Sequence, residues 1–162
     1  MRTNSIYMRK LIRTAALCLM LAAGFTSCRE DADEPVAYEA VNYSTLSGTW
    51  TLTEHNGQPI EEGRYVYITF DRKEHTFVMY DNMSSMYSHK STGTYLITED
   101  DTDGYILTGE YDFSHAPWRE YVVSEMTSDT MKWTVRDDAS DVSVYTRCAA
   151  VPDEVLQGSR SR

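Results

Sequence analysis

Apolar and polar side chains alternate with a period of two through most of the chain beyond residue 45. In Tyr65–Asp71, Val66, Ile68 and Phe70 face one way, and Tyr65, Tyr67 and Thr69 the other. This is the period of a strand with one buried face. Thr49–Glu54 repeats it, with Trp50 and Leu52 opposite Thr49, Thr51 and Thr53, and Gly48 allows a tight approach just before it. Further strands are predicted over Thr76–Asp81, Gly93–Thr98, Tyr105–Tyr111, Arg119–Met126, Thr130–Asp137 and Val142–Arg147. The polar stretch Asp81–Lys90 is less regular, and a short extra strand is expected at Ser85–Lys90. Turns are marked by Asn56-Gly57-Gln58-Pro59, Arg72–His75, Asp101–Gly104 and Ser128-Asp129. The pattern predicts an all-β, antiparallel up-and-down barrel of eight strands, with an open seven-stranded sandwich as the alternative. Eight strands enclose room for packed side chains or one small ligand. Ala37–Thr45 is expected as a linker with a turn of helix at the barrel base, and Val151–Arg162 as a frayed tail. If first and last strands pair, Arg147 stacks on the Trp50 ring, a contact of roughly 0.5–2 kcal/mol.

Gly48-Thr49-Trp50 opening the first strand, with Arg147 ending the last, resembles the lipocalin and lipocalin-like families. In those families the tryptophan and arginine pack together at the closed end of a barrel. The strand rhythm matches from about Leu46 to Cys148, while Gly48, Trp50 and Arg147 are the specific matches. The resemblance implies a non-enzymatic binding domain for a small ligand or an envelope partner. Gly48–Leu52 with Asn56–Ile60 is also similar to the opening of META-type envelope domains, but no Gly-Cys-Asn motif follows.

The amino-terminal segment changes the picture of where this barrel resides. Met8–Arg13 is basic and Thr14–Gly24 is an apolar run. That run is shorter than the ~20 residues needed to span a bilayer. A signal peptide over residues 1–27 is therefore expected, starting at Met1 or Met8. Phe25-Thr26-Ser27-Cys28 resembles a lipobox, which implies acylation of Cys28 and anchoring to a membrane. Each acyl chain contributes about 0.8 kcal/mol per buried CH₂. The acidic residues Glu30, Asp31, Asp33 and Glu34 follow at once. They resemble an export signal for the outer surface of Gram-negative bacteria, with a periplasm-facing anchor as the alternative. Residues 28–44 form the expected tether, 45–150 the barrel and 151–162 the tail.

The formal net charge is −10, and Arg2, Arg9, Lys10 and Arg13 all lie in the signal segment, which holds no acid. So acidic a chain repels phosphate backbones, which argues against a nucleic-acid partner. Of the three cysteines, Cys18 leaves with the signal and Cys28 takes lipid, so Cys148 has no disulfide partner.

Candidate chemistry is sparse. Glu99–Glu110 has acids at the spacing of a calcium loop, making Asp101, Asp103 and Glu110 weak ligand candidates. Its flanks read as strands where that motif requires helices, so a solvated hairpin turn is the expected outcome. His55, His75, His89 and His115 are scattered through turns without ligand spacing, and no hydrolase or phosphate-binding motif is present. No cofactor is implied. Tyrosines and Trp50, Trp118 and Trp133 are more informative, because flat rings with polar tips suit small hydrophobic or aromatic ligands. Met83, Met86, Tyr87 and Trp118, in predicted loops, are the candidates for a ligand-binding rim. A solid barrel filled by Phe70, Met79, Met131 and Trp133 would instead favour an interaction module.

Overall fold

Asn42 caps a one-turn helix, α1 (Tyr43–Leu46), just after the buried Val41. Its carboxamide oxygen accepts from the Ser44 and Thr45 N–H groups at 2.8 and 3.1 Å, and Thr45 Oγ1 accepts from Asn42 N–H at 3.0 Å. The reciprocal cap satisfies donors that so short a helix leaves unpaired. Leu46 is fully buried, and its carbonyl accepts from Trp50 Nε1 at 2.8 Å. The expected helical turn at the barrel base is thus present. These features come from a computed structural model that describes residues 36–158 and 160–161. The predicted signal peptide, Cys28 and the acidic stretch 29–35 lie outside the described residues.

The strands that follow are β1 (Gly48–His55), β2 (Gln58–Pro59), β3 (Val66–Asp71), β4 (Thr76–Asp81), β5 (His89–Asp100), β6 (Gly104–Tyr111), β7 (Tyr121–Ser124), β8 (Thr130–Val135) and β9 (Asp138–Cys148). At the tip between β1 and β2, Asn56 (φ 52°) and Gly57 (φ 73°) are both left-handed, as a two-residue type I′ turn demands. From β3 to β9 each strand pairs antiparallel with the next, and β1 bridges β3 and β9. Eight antiparallel strands therefore close a barrel, as the alternation predicts.

Inward positions carry the core. Val66, Ile68 and Phe70 on β3 and Met131, Trp133 and Val135 on β8 are buried, together with Trp50, Phe77, Tyr95 and Leu107. Each large apolar side chain so removed from water contributes about 1.5–3 kcal/mol. At Gly93 the β5–β6 pair leaves no room for a side chain, since a Cβ would stand 1.9 Å from the Glu110 carbonyl oxygen.

Three expectations are corrected. Ser85–Lys90 is no separate strand: only His89 and Lys90 are extended, and they begin the long β5. The loop before them is held by Arg64, whose Nη1 donates to the Asn82 and Ser85 carbonyls at 2.6 and 2.8 Å. The strand expected over Arg119–Met126 shrinks to Tyr121–Ser124, because Glu125 takes a left-handed φ of 51°. In place of a frayed tail, α2 (Asp153–Gly158) buries Val155, and β10 (Arg160–Ser161) pairs parallel with His89 and Lys90.

Candidate functional site

The two ends of the barrel differ in chemistry. At one end Arg147 lies opposite Trp50 in the β1–β9 ladder, and its guanidinium carbon sits 4.0 Å above the indole centroid. Nη1 and Nη2 donate to the Ser47 and Thr45 carbonyls, both at 2.7 Å, and Nε donates to the Ser128 carbonyl. Arg147 thereby ties β9 to the end of α1 and to the β7–β8 loop. Gly48 makes this possible twice over. Its φ of +114° disfavours side chains, and a Cβ there would stand 2.7 Å from Arg147 Nη1. The predicted trio Gly48, Trp50 and Arg147 packs together at this end.

The other end is open. A cleft of about 1000 Å³ is lined by Val66, Met79, Asp81 and Met83 on one side and Tyr111, Phe113, Ala116 and Tyr145 on the other. Lys90, Ser91, Thr92, Asp112 and Ser114 complete the wall. Register sorts these residues. Met79 lies opposite Ile68 and Ser91, and Asp81 opposite Val66, so Met79, Asp81 and Ser91 share the inward face with the buried Ile68. Lys90 pairs with Tyr80 and takes the other face. Beneath the cleft is a layer of rings: Trp133 to Tyr145 at 4.5 Å, Trp133 to Tyr121 at 5.1 Å, and Phe77 to Trp118 at 4.4 Å between centroids. Tyr145 is 7% exposed, and burial, reinforced by the neighbouring phenols of Tyr121 and Tyr111 and by Asp141, pushes its pKa up. It is a neutral hydroxyl at physiological pH. Thr92 Oγ1 donates to Asp112 Oδ2 at 2.6 Å, committing that carboxylate, whereas the Asp81 carboxylate makes no hydrogen bond or ion pair among the described residues.

The rim residues expected from sequence separate. Met83 lines the cleft at 43% exposure. Met86, 91% exposed, and Tyr87 stand on the same loop but outside the wall. Trp118 is no rim residue. Its N–H donates to the Gly109 carbonyl at 2.7 Å, and its ring enters the interior over Gly109, where a Cβ would meet it at 2.7 Å. Its Nε1 is buried without a hydrogen-bond partner among the described residues. The solid-filling expectation holds for Phe70, Met131 and Trp133 but not for Met79, which is half-buried in the cleft wall. Tyr145, Tyr111 and Asp81 were missed as cleft residues. Their inward positions near strand ends were the available signal.

The acidic side chains of the Glu99–Glu110 hairpin turn to partners within the protein. Asp100 Oδ1 accepts from Asp103 and Thr102 N–H, and Arg136 adds contacts to Asp100 at 2.8 Å, Asp103 at 2.7 Å and Glu120 at 2.9 Å. Those backbone donors, with Arg136, hold the Asp100 carboxyl below the usual carboxylate range. Glu110 instead faces His115 at 3.0 Å, and Asp101 is exposed. No cluster of potential metal ligands occurs among the described residues. Ser85 Oγ meets His89 Nε2 at 2.6 Å, but the hydroxyl is also bound to the Tyr87 backbone, so the pair ties the loop together.

No curated protein and no solved structure matches the chain. A family model described as a lipocalin-like domain matches residues 46–133, from the end of α1 through Trp133 of β8. With a closed antiparallel barrel and this match across more than half its length, the chain belongs to the lipocalin-like domain family.

Proposed function

We propose that this protein is a lipid-anchored envelope protein whose barrel binds a small hydrophobic or aromatic ligand at its open end without transforming it. The observation that carries the ligand is the cleft of about 1000 Å³, walled by Met79, Met83, Tyr111, Phe113 and Tyr145. Its volume lies at the upper end of the roughly 300–1000 Å³ typical of small-molecule sites. Anchoring rests on the sequence around Cys28, and an outer-membrane, surface-exposed position on the acidic residues behind it. A periplasm-facing anchor is the alternative.

Native mass spectrometry of the protein purified without denaturation tests the ligand. An extra mass, lost on Met79→Asp, supports it. A bare mass together with no uptake of the uncharged apolar dye N-phenyl-1-naphthylamine refutes it. Metabolic labelling with a fatty acid tests the anchor, since Cys28→Ala must abolish the label. Protease treatment of intact cells separates the two orientations.

A second role as a protein-interaction module is favoured by Met86 and Phe113, which are 91% and 85% exposed. Phe113 lines the cleft, and the loop that bears Met86 supplies Met83 to it. Met83 and Tyr87 are exposed on the same loop as Met86, and several large apolar side chains exposed together suit contact with an envelope protein.

A further inference from the structure

The inner wall of the cleft is apolar and aromatic except at a few points, and those points have a sign. Asp81 ends β4 on the inward face, in register with Val66 across one ladder and His89 across the other. Its carboxylate is without a hydrogen-bond or ion-pair partner among the described residues, although elsewhere Asp100, Asp103 and Glu120 converge on Arg136 and Asp137 and Asp141 on Arg119. Lys90 is the basic residue of the wall, and its pairing with Tyr80 puts it on the opposite face of β5 from Ser91. The rings of Tyr111, Phe113 and Tyr145 line the same space. Aromatic faces carry negative potential and attract cations within about 6 Å. A protein of formal net charge −10 adds a field of the same sign.

We infer that the ligand is cationic: an apolar or aromatic body lying against Met79 and Tyr145, with a protonated nitrogen held at Asp81. This rests on the ligand-binding role proposed above and narrows it to one chemical class. A carboxylate ligand would have to rest in a cleft lined by both Asp81 and Asp112. A neutral ligand would leave Asp81 without a counter-charge on the cleft's inner face. The amine satisfies it, and the ring faces share the charge.

Three probes with one ring system separate the possibilities: 1-pyrenemethylamine, 1-pyrenemethanol and 1-pyrenecarboxylic acid. Their fluorescence is titrated against the full chain, carrying Cys28→Ser so that no acyl chain competes with the probe. The amine is expected to bind at least about tenfold more tightly than the alcohol, as a partly desolvated ion pair allows, and the acid most weakly. Asp81→Asn and Asp81→Ser should each bring the amine down to the affinity of the alcohol. The alcohol itself should bind unchanged, which also shows that the variants fold. If the alcohol binds and the amine gains nothing over it, or if the gain survives both substitutions, the cationic assignment is overturned while the ligand role stands. Tightest binding by the acid overturns it in favour of Lys90. If none of the three binds, the ligand role falls with it.

Discussion

Replacing Arg147 by lysine isolates the closure of the sealed end, because it keeps the charge and removes the fork. Arginine reaches three carbonyl oxygens, on Thr45, Ser47 and Ser128, and covers the Trp50 ring at 4.0 Å. Lysine can satisfy one of those oxygens. Arg147 is half-buried, so water reaches part of the site, and each lost charge-assisted bond is taken at about 1 kcal/mol, below the full range. Losing the flat stack costs about 1 kcal/mol more. Arg147→Lys should therefore cost about 3 kcal/mol, read as a lower urea midpoint, and about 6–12 °C in Tm for a chain of this size. Gly48→Ala acts on the same contact from the other side. It costs about 1–2 kcal/mol for the left-handed backbone, and its Cβ displaces Nη1 from 2.7 Å. With the guanidinium already expelled, adding Arg147→Lys should cost less than about 1 kcal/mol more, a strongly non-additive cycle. A full 3 kcal/mol loss in both backgrounds would show that Gly48 and Arg147 act independently and refute the closure mechanism.

Other perturbations probe the rest of the barrel. Gly93→Ala brings a methyl group to 1.9 Å from the Glu110 carbonyl and should unfold the domain or break the β5–β6 ladder. Gly57→Ala has nothing within 4 Å and costs only turn strain, and circular-dichroism melts rank the two. In acid, Asp71, Asp100 and Asp138 matter, since backbone N–H donors and, at Asp138, first the Ser140 hydroxyl hold their carboxyls below the usual value. Their stabilisation is present above the unfolded pKa of about 4 and is lost as pH falls through the lower folded values, so denaturant midpoints should hold to about pH 5 and then drop. In alkali the sign reverses. Burial, then Tyr43 and Asp71, raises Tyr95 to about 12, and burial raises Tyr121 and Tyr145 as well. Stability present below pH ~10 should fall as pH climbs toward 12, with late phenolate absorbance appearing together with unfolding.

The barrel was legible in the sequence wherever its cause is local. Alternation in Val66–Phe70 and the Asn56-Gly57 turn follow from period and turn chemistry, while the long-range Trp50–Arg147 pairing was reached only by taking the first and last strands as neighbours. The cleft was not, because it depends on which inward residues sit where the strands part. Trp118 illustrates the difficulty. Ala116-Pro117 before it reads as loop, yet Pro117 bridges to Glu110 and the absent side chain of Gly109 leaves the space its ring fills. That vacancy lies nine positions earlier in the chain and has no local signature. The Met83–Tyr87 loop hides its direction in the same way. Arg64 and Asn82 fold it so that Met83 turns toward the cleft and Met86 away, and neither anchor belongs to the alternation.

The order of the strands also sets a kinetic asymmetry. Every ladder from β3 to β9 joins neighbours in the chain, and such hairpins form in about 1–10 μs. The β1–β9 ladder is different: Ser47 and Arg147, which meet there, are 100 residues apart. Its loop entropy must be met before its contacts exist, so it is the step on which formation of the cylinder waits. Until then β1 and β9 present bare edges able to pair with another chain. The Gly48–Trp50–Arg147 contact is thus the clasp of the seam. It fixes how long a nascent barrel stays open to its neighbours.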